Sequence, residues 1–145
     1  MADKQKSVTG GCQCGAVTYE AKGDPAMVIQ CHCLNCQKSS GTGHVPFAGF
    51  AEPQVTVKGK TKAFSYIADS GGKATSNFCP ECGSTLFDTT TSFPGVMAIR
   101  LGSMNDSSAF QPQMAVYAKR MRGWDHDLKG APTFETMPPM QQARA

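Results

Sequence analysis

The chain has 145 residues, 14 Lys+Arg against 11 Asp+Glu, and a formal charge of +3 with histidines neutral and cysteines counted as thiols. That length fits one domain with a single core, and 40% hydrophobic with 17% charged residues is ordinary for a soluble globular protein. Apolar runs such as Val96-Met97-Ala98-Ile99 are far too short to span a bilayer, and no apolar stretch follows the charged start Met1 to Lys6, so the expected location is cytoplasmic and reducing.

In chain order, residues 1–7 read as a flexible polar lead. Short β-prone runs follow at Val17 to Glu20, Met27 to Gln30, Val45 to Phe50, Val55 to Val57, Ala63 to Ile67, Ser84 to Phe87 and Gly95 to Leu101. Turn formers separate them at Gly23-Asp24-Pro25, Ala51-Glu52-Pro53, Asp69-Ser70-Gly71-Gly72 and Phe93-Pro94-Gly95. One helical turn is expected after Cys33, ended by Gly41, and a second near Val116 to Met121. The expected fold is mainly β, several small antiparallel sheets with little helix. A domain over residues 8–128 would be followed by a proline-containing tail over 129–145.

The seven cysteines carry the chemistry. An odd count cannot pair off into disulfides within one chain, and a reducing compartment disfavours disulfides in any case. They fall into three clusters: Cys12 and Cys14; Cys31, Cys33 and Cys36; Cys79 and Cys82. Thiolates at such spacing suit zinc, which takes four protein ligands in structural sites and leaves one position open in catalytic ones. Glycine follows the second cysteine in Cys12-Gln13-Cys14-Gly15 and in Cys79-Pro80-Glu81-Cys82-Gly83, where it permits a turn that aims backbone N–H groups at sulfur. The two glycine-backed pairs would clamp one zinc and tie residues near 12 to residues near 80, while Cys31, Cys33 and Cys36 would hold a second with a vacant corner. Spacing also allows Cys12 and Cys14 to join two of the middle three, and His32 or His44 to complete the middle site structurally.

The runs Gly10 to Glu20, Cys31 to Lys38 and Phe78 to Phe87 resemble signatures of the glutathione-dependent formaldehyde-activating enzyme / centromere protein V family, and Arg100-Leu101-Gly102-Ser103 and Trp124 resemble its weaker C-terminal landmarks. Met104-Asn105-Asp106 departs from the more acidic turn frequent in that family. The resemblance implies an Mss4-like fold of coiled β-sheets, a structural zinc on Cys12, Cys14, Cys79 and Cys82, and a catalytic zinc on Cys31, Cys33 and Cys36. It further implies a carbon–sulfur lyase that joins glutathione to formaldehyde. The expected partners are a small-molecule thiol and a small aldehyde, with no membrane and room for a homo-oligomer. Glutathione carries two carboxylates, so Lys38 and Arg100 are the candidate substrate cations, with Lys119, Arg120 and Arg122 behind them; Lys58, Lys60 and Lys62 read as a solvated face.

The competing class is a non-catalytic zinc module for a protein or nucleic-acid partner. A nucleic-acid binder calls for a pronounced basic tract, and Lys119-Arg120-Met121-Arg122 is short. Seven thiolates and two zinc ions would also cancel the formal +3, which removes the compositional hint of such a partner.

Overall fold

The computed structural model describes residues 6–126 and 130–139; most of the expected N-terminal lead, and residues 129 and 140–145 of the expected tail, lie outside the described residues. Among the described residues, ten strands form two sheets, accompanied by one short α-helix. The smaller sheet joins β1 (Ser7–Gly11), β2 (Thr18–Lys22) and β5 (Val55–Lys58), all antiparallel. The larger contains β3 (Met27–Cys31), β4 (Val45–Ala51), β6 (Lys62–Ile67), β7 (Lys73–Phe78), β8 (Thr85–Thr90), β9 (Val96–Arg100) and β10 (Met114–Val116). Its order is β10-β3-β4-β9-β8-β7-β6, antiparallel except where β10 lies parallel to β3. The mainly-β, little-helix expectation holds, and the architecture is consistent with the Mss4-like fold.

Alternation of side chains across β3 creates two apolar compartments. Val28 joins the main core with Tyr19, Ala48, Phe50, Leu86 and Ile99, which fills the space between the sheets. Ile29 and Cys31 face the other way, into a smaller cluster with Val116 and Tyr117. The three sulfurs of the middle cysteine cluster belong to this second compartment, so β3 separates them from the main core.

Helix α1 (Leu34–Ser40) forms where the sequence places it. The Cys33 sulfur accepts from the Cys36 N–H at the N-cap, and Gly41 ends the helix at φ 75°, a left-handed conformation natural to glycine. The second expected helical turn is displaced: Val116 is in β10, and only Ala118–Arg120 makes a 3-10 turn. Residues 132–135 run beside β10, where Phe134 N–H donates to Ala115 O at 2.9 Å and Ala118 N–H donates to Phe134 O at 2.8 Å.

The departure at Met104-Asn105-Asp106 is occupied by packing. Met104 is buried in the main core, Asn105 N–H donates to Thr9 O at 2.8 Å, and Asp106 Oδ1 accepts from Ser108 N–H at 2.9 Å. This turn therefore ties the end of the 101–105 segment to β1.

Gly10 explains the need for glycine in β1. Tyr19 sits opposite it in the β1–β2 register, and a methyl group there would run into the Tyr19 ring and the Ser103 carbonyl. The Tyr19 hydroxyl is held by Ser103 Oγ at 2.7 Å, so the ring has no ready escape. Gly10→Ala is therefore expected to destabilise the fold by about 1–3 kcal/mol, the usual cost of overpacking. A lowered denaturation midpoint with an unchanged m-value is the expected readout.

Candidate metal centres and the cavity above the cysteine triad

Two turns from distant parts of the chain make the first centre. Cys12 and Cys14 follow β1, and Cys79 and Cys82 sit in the β7–β8 turn; one sulfur from each lies within 4.8 Å of the other three. The Cys12–Cys14 sulfurs are 3.6 Å apart and the Cys14–Cys79 sulfurs 3.7 Å. Sulfurs at the corners of a tetrahedron with metal–sulfur bonds of ~2.3 Å stand ~3.8 Å apart, so this donor set fits a four-thiolate ion. Gly15 and Gly83 adopt φ of 83° and 78°, which closes each turn. Backbone N–H groups of Val17 and Glu81 then reach the Cys12 and Cys79 sulfurs at 3.2 and 3.4 Å. Hydrogen bonds from Ser84 to Cys82 lower that thiol's pKa to about 5.

The second centre is built by β3 and α1. Cys31 ends the strand, Cys33 caps the helix and Cys36 lies in its first turn, which converges three sulfurs within 4.8 Å of one another. Cys33 is the natural thiolate of the three: hydrogen bonds from the Cys31 and Cys36 thiols, with backbone N–H donors behind them, lower its pKa to about 3 despite burial. Its neighbours shift the other way, and Cys31 is pushed up to about 12, first by its hydrogen bond to Cys33. Among the described residues no histidine, aspartate or glutamate joins this group.

His32 and His44 instead form a separate cluster with Asp125. The Nδ1 atoms of both rings face Asp125 Oδ2, at 3.3 Å from His32 and 2.7 Å from His44, and Gln30 Nε2 is 3.3 Å from His32 Nε2. At 2.7 Å the His44–Asp125 contact is a hydrogen bond, shorter than the ~3.3 Å between two ligand atoms on one tetrahedral zinc. Burial alone would raise the Asp125 carboxyl, but the His44 hydrogen bond and the two facing imidazoles outweigh it and hold the pKa below its ordinary value. Alternate sides of the chain thus serve two purposes, with Cys31 and Cys33 at one centre and His32 at a buried polar tie.

The triad opens into a cavity of about 150 Å³. Met27, Ile29, Phe47, Val96, Tyr117 and Met137 give it apolar walls, and Tyr66, Asp69 and Asp88 are among its polar members. Burial, followed by the nearby Cys36 and Asp88 charges, raises the Tyr66 hydroxyl pKa. Tyr117 is the one non-glycine at positive φ among the described residues, at 56°, a conformation that costs about 1 kcal/mol or more and that the neighbouring strands impose.

The sequence-derived substrate cations lie elsewhere. Arg100 is 7% exposed; its Nε donates to Asp88 Oδ2 at 2.9 Å, and its terminal nitrogen donates to Asp88 Oδ1 and Ser39 Oγ. Lys38 is exposed on α1 and borders a separate surface depression with Arg122 and Trp124. Sequence reasoning did not pick out Asp88, Tyr66, Tyr117 or Met137. Each reaches the cavity through pairing or packing with distant residues, and only the Asp88/Arg100 opposition of charge offered a signal.

A model of the family described as glutathione-dependent formaldehyde-activating enzyme matches residues 7–120, so the chain belongs to that family. A solved structure of a Rhodobacter sphaeroides protein is similar in fold: it is 19% identical, the match covers 86% of this chain and 98% of that one, and the TM-score is 0.55.

Asp88 bonds Arg100 twice and Ser76 Oγ once, at 2.5 Å. Asp88→Asn removes the countercharge and leaves a buried guanidinium, and is expected to cost about 3 kcal/mol. Replacing both partners, Asp88→Asn with Arg100→Met, should recover part of that loss in the same denaturation assay, giving a clear coupling in the double-mutant cycle.

Proposed function

We propose that this member of the glutathione-dependent formaldehyde-activating enzyme family is a zinc-dependent carbon–sulfur lyase. It would join a thiol, glutathione or a related one, to formaldehyde or another small aldehyde at Cys31, Cys33 and Cys36. The observation that carries the reading is the convergence of three sulfurs on a cavity, with no fourth ligating side chain among the described residues. Family membership supports the reaction class. Cys12, Cys14, Cys79 and Cys82 would hold a second, structural zinc. Among the described residues no helix is long and apolar enough to cross a membrane, and seven cysteines used as thiolates would suit a reducing, cytoplasmic setting.

The reaction is addition. A bond forms between thiol sulfur and carbonyl carbon, the carbonyl π pair moves onto oxygen, and the thiol proton ends on that oxygen; the reverse releases thiol and aldehyde. Zinc held by three thiolates is electron-rich, and when bound it would lower the pKa of an incoming thiol while leaving its sulfur nucleophilic. The chain's own residues do the rest. Cys31, Cys33 and Cys36 supply the thiolates, and α1 fixes two of them in one turn. Apolar walls exclude water from the reacting atoms. The Tyr66 and Tyr117 hydroxyls, protonated at neutral pH like any phenol and pushed further up by burial, are two donors among the cavity's lining residues for the developing oxyanion.

The two cysteine groups should separate in one experiment. Cys33→Ser is expected to lose one zinc equivalent and at least about 100-fold in adduct formation while the thermal transition remains, as expected when an essential group at a reacting centre is removed. Cys79→Ser should lose an equivalent and the cooperative transition together, because a structural ion contributes directly to folding. Metal analysis, thermal melts and exchange spectroscopy of glutathione with formaldehyde provide the readouts. Undiminished adduct formation by Cys33→Ser protein with one zinc missing would sink the assignment.

A further inference from the structure

The two edges of the larger sheet end differently. At one, residues 132–135 lie beside β10, and Phe134 N–H donates to Ala115 O. At the other, β6 pairs with β7 alone among the described residues. An uncovered edge strand presents a row of N–H and C=O groups to any other extended chain, and proteins usually blunt such strands with charge, proline or a bulge. β6 carries none of these beyond Lys62 at its start.

The turn after β6 shows which backbone groups are free. Ala68 N–H donates to Gly72 O at 2.8 Å, and Ala68 O accepts from Gly71 N–H at 2.9 Å, so Ala68 directs its backbone groups to the β7 side. Alternation along an antiparallel strand then turns the backbone groups of Lys62, Phe64 and Tyr66 to β7 and leaves those of Ala63, Ser65 and Ile67 on the outer edge. The side chains also lack cover. Of the three large hydrophobic residues exposed among the described residues, Phe64 at 63% and Ile67 at 72% are both on this strand. Phe64 stacks on Tyr66 with ring centroids 6.2 Å apart, on the face where Tyr66 lines the triad cavity, while Ile67 belongs to the opposite face.

Charge and register both favour a second copy of the same strand as the occupant. Lys60 and Lys62 stand at the start of β6 and Asp69 just beyond its end, all exposed. Two copies running antiparallel bring each basic end against the other's acidic end, whereas a parallel pair sets like charges together. Exposed pairs contribute little energy but select the orientation. A two-fold axis at Ser65 makes that residue its own hydrogen-bonded partner and pairs Ala63 with the partner's Ile67, which engages every free edge group. In this register Phe64 lies opposite the partner's Tyr66, and Thr61, flanked by Lys60 and Lys62, opposite the partner's Asp69.

We propose that β6 is a homodimer interface, in which two copies pair antiparallel about Ser65 and join their larger sheets into one. The rings of Phe64 and Tyr66 from both copies form one aromatic cluster beside the axis. Because Tyr66 lines the triad cavity, the partner's Phe64 stands at the rim of that cavity.

The test uses full-length, zinc-loaded protein. Sedimentation equilibrium at micromolar concentration is expected to give twice the chain mass. Residue-resolved hydrogen exchange should show the Ala63, Ser65 and Ile67 amides gaining at least about tenfold protection as concentration rises. Ser65→Pro removes a donor that β7 does not use, so it should yield a monomer with an unchanged far-UV spectrum. Ile67→Lys, which leaves the backbone donors in place, should dissociate the dimer as well. Trp124→Lys alters the remaining exposed large hydrophobic residue and should stay dimeric. A monomer at every concentration overturns the second copy as occupant, whether the edge is then free, covered by residues 140–145 or taken by an extended segment of another protein. A dimer that withstands both Ser65→Pro and Ile67→Lys overturns β6 as its interface, as does one that only Trp124→Lys dissolves.

Discussion

Four sulfurs from two turns converge where the two sheets meet. Cys12 and Cys14 leave the last residue of β1, in the smaller sheet, and Cys79 and Cys82 form the β7–β8 turn of the larger. The neighbouring hydrogen bonds cross the same seam: Gln13 N–H donates to Ser84 Oγ, and Asn105 N–H donates to Thr9 O. Tyr19, Leu86 and Phe50 meet beneath it in the main core. A 145-residue β chain with 15 glycines has to fix many flexible turns, and an ion shared by the two turns would remove that freedom where the sheets meet. β3 and β4 belong to the sheet that carries Cys79 and Cys82, and the direction in which Cys31 points is set by the same packing that seats Val28 in the main core.

The distribution of polar groups around α1 then decides how rigid the triad is. Gln37, buried on the helix, donates to the His32 and Arg120 carbonyls, both at 2.9 Å, and accepts from Arg122 Nε at 2.8 Å. One amide thereby ties the helix to the chain just before Cys33 and to the 120–122 segment. Ser39 in the last turn accepts from Arg100 on β9. With His32 linked to Gln30 and facing Asp125, the residues between and behind the three cysteines are fastened by neighbouring Gln30 and by side chains from two distant segments, Arg100 of β9 and Arg122 and Asp125. A set of ligands held this way loses little conformational entropy on meeting an ion, and cannot easily turn a fourth residue inward.

Much of this was legible in the sequence, for a local reason. Cysteine ligands come in pairs and triplets only a few residues apart, and glycine after Cys14 and Cys82 marks left-handed turns that the backbone does adopt. Strands with alternating or continuous apolar residues, such as Val45–Ala51 and Val96–Arg100, were equally visible. The strands without that pattern were not. β1 ends in two glycines, β7 (Lys73–Phe78) buries only Ala74 and Ser76, and β10 has three residues; each exists because a neighbouring strand supplies its hydrogen-bond partners. Val116 looked helical because the 116–121 stretch lacks alternation, yet pairing with Cys31 holds it extended.

What composition misrepresented was the role of charge. Arg100 beside a family-like Leu-Gly-Ser reads as a free cation for an anionic substrate, since a sequence shows charges without showing which are already matched. The antiparallel register of β8 and β9 puts Asp88 opposite Ala98, and therefore diagonal to Arg100 two residues on, where the carboxylate and guanidinium meet. A buried arginine in that setting cannot turn to a ligand without abandoning Asp88 uncompensated, a larger loss than a surface carboxylate contact would return. The same pair also forms part of the wall behind the triad, with Asp88 on the cavity side and Arg100 reaching α1 through Ser39. Its electrostatics are thus spent on positioning the helix that carries Cys33 and Cys36.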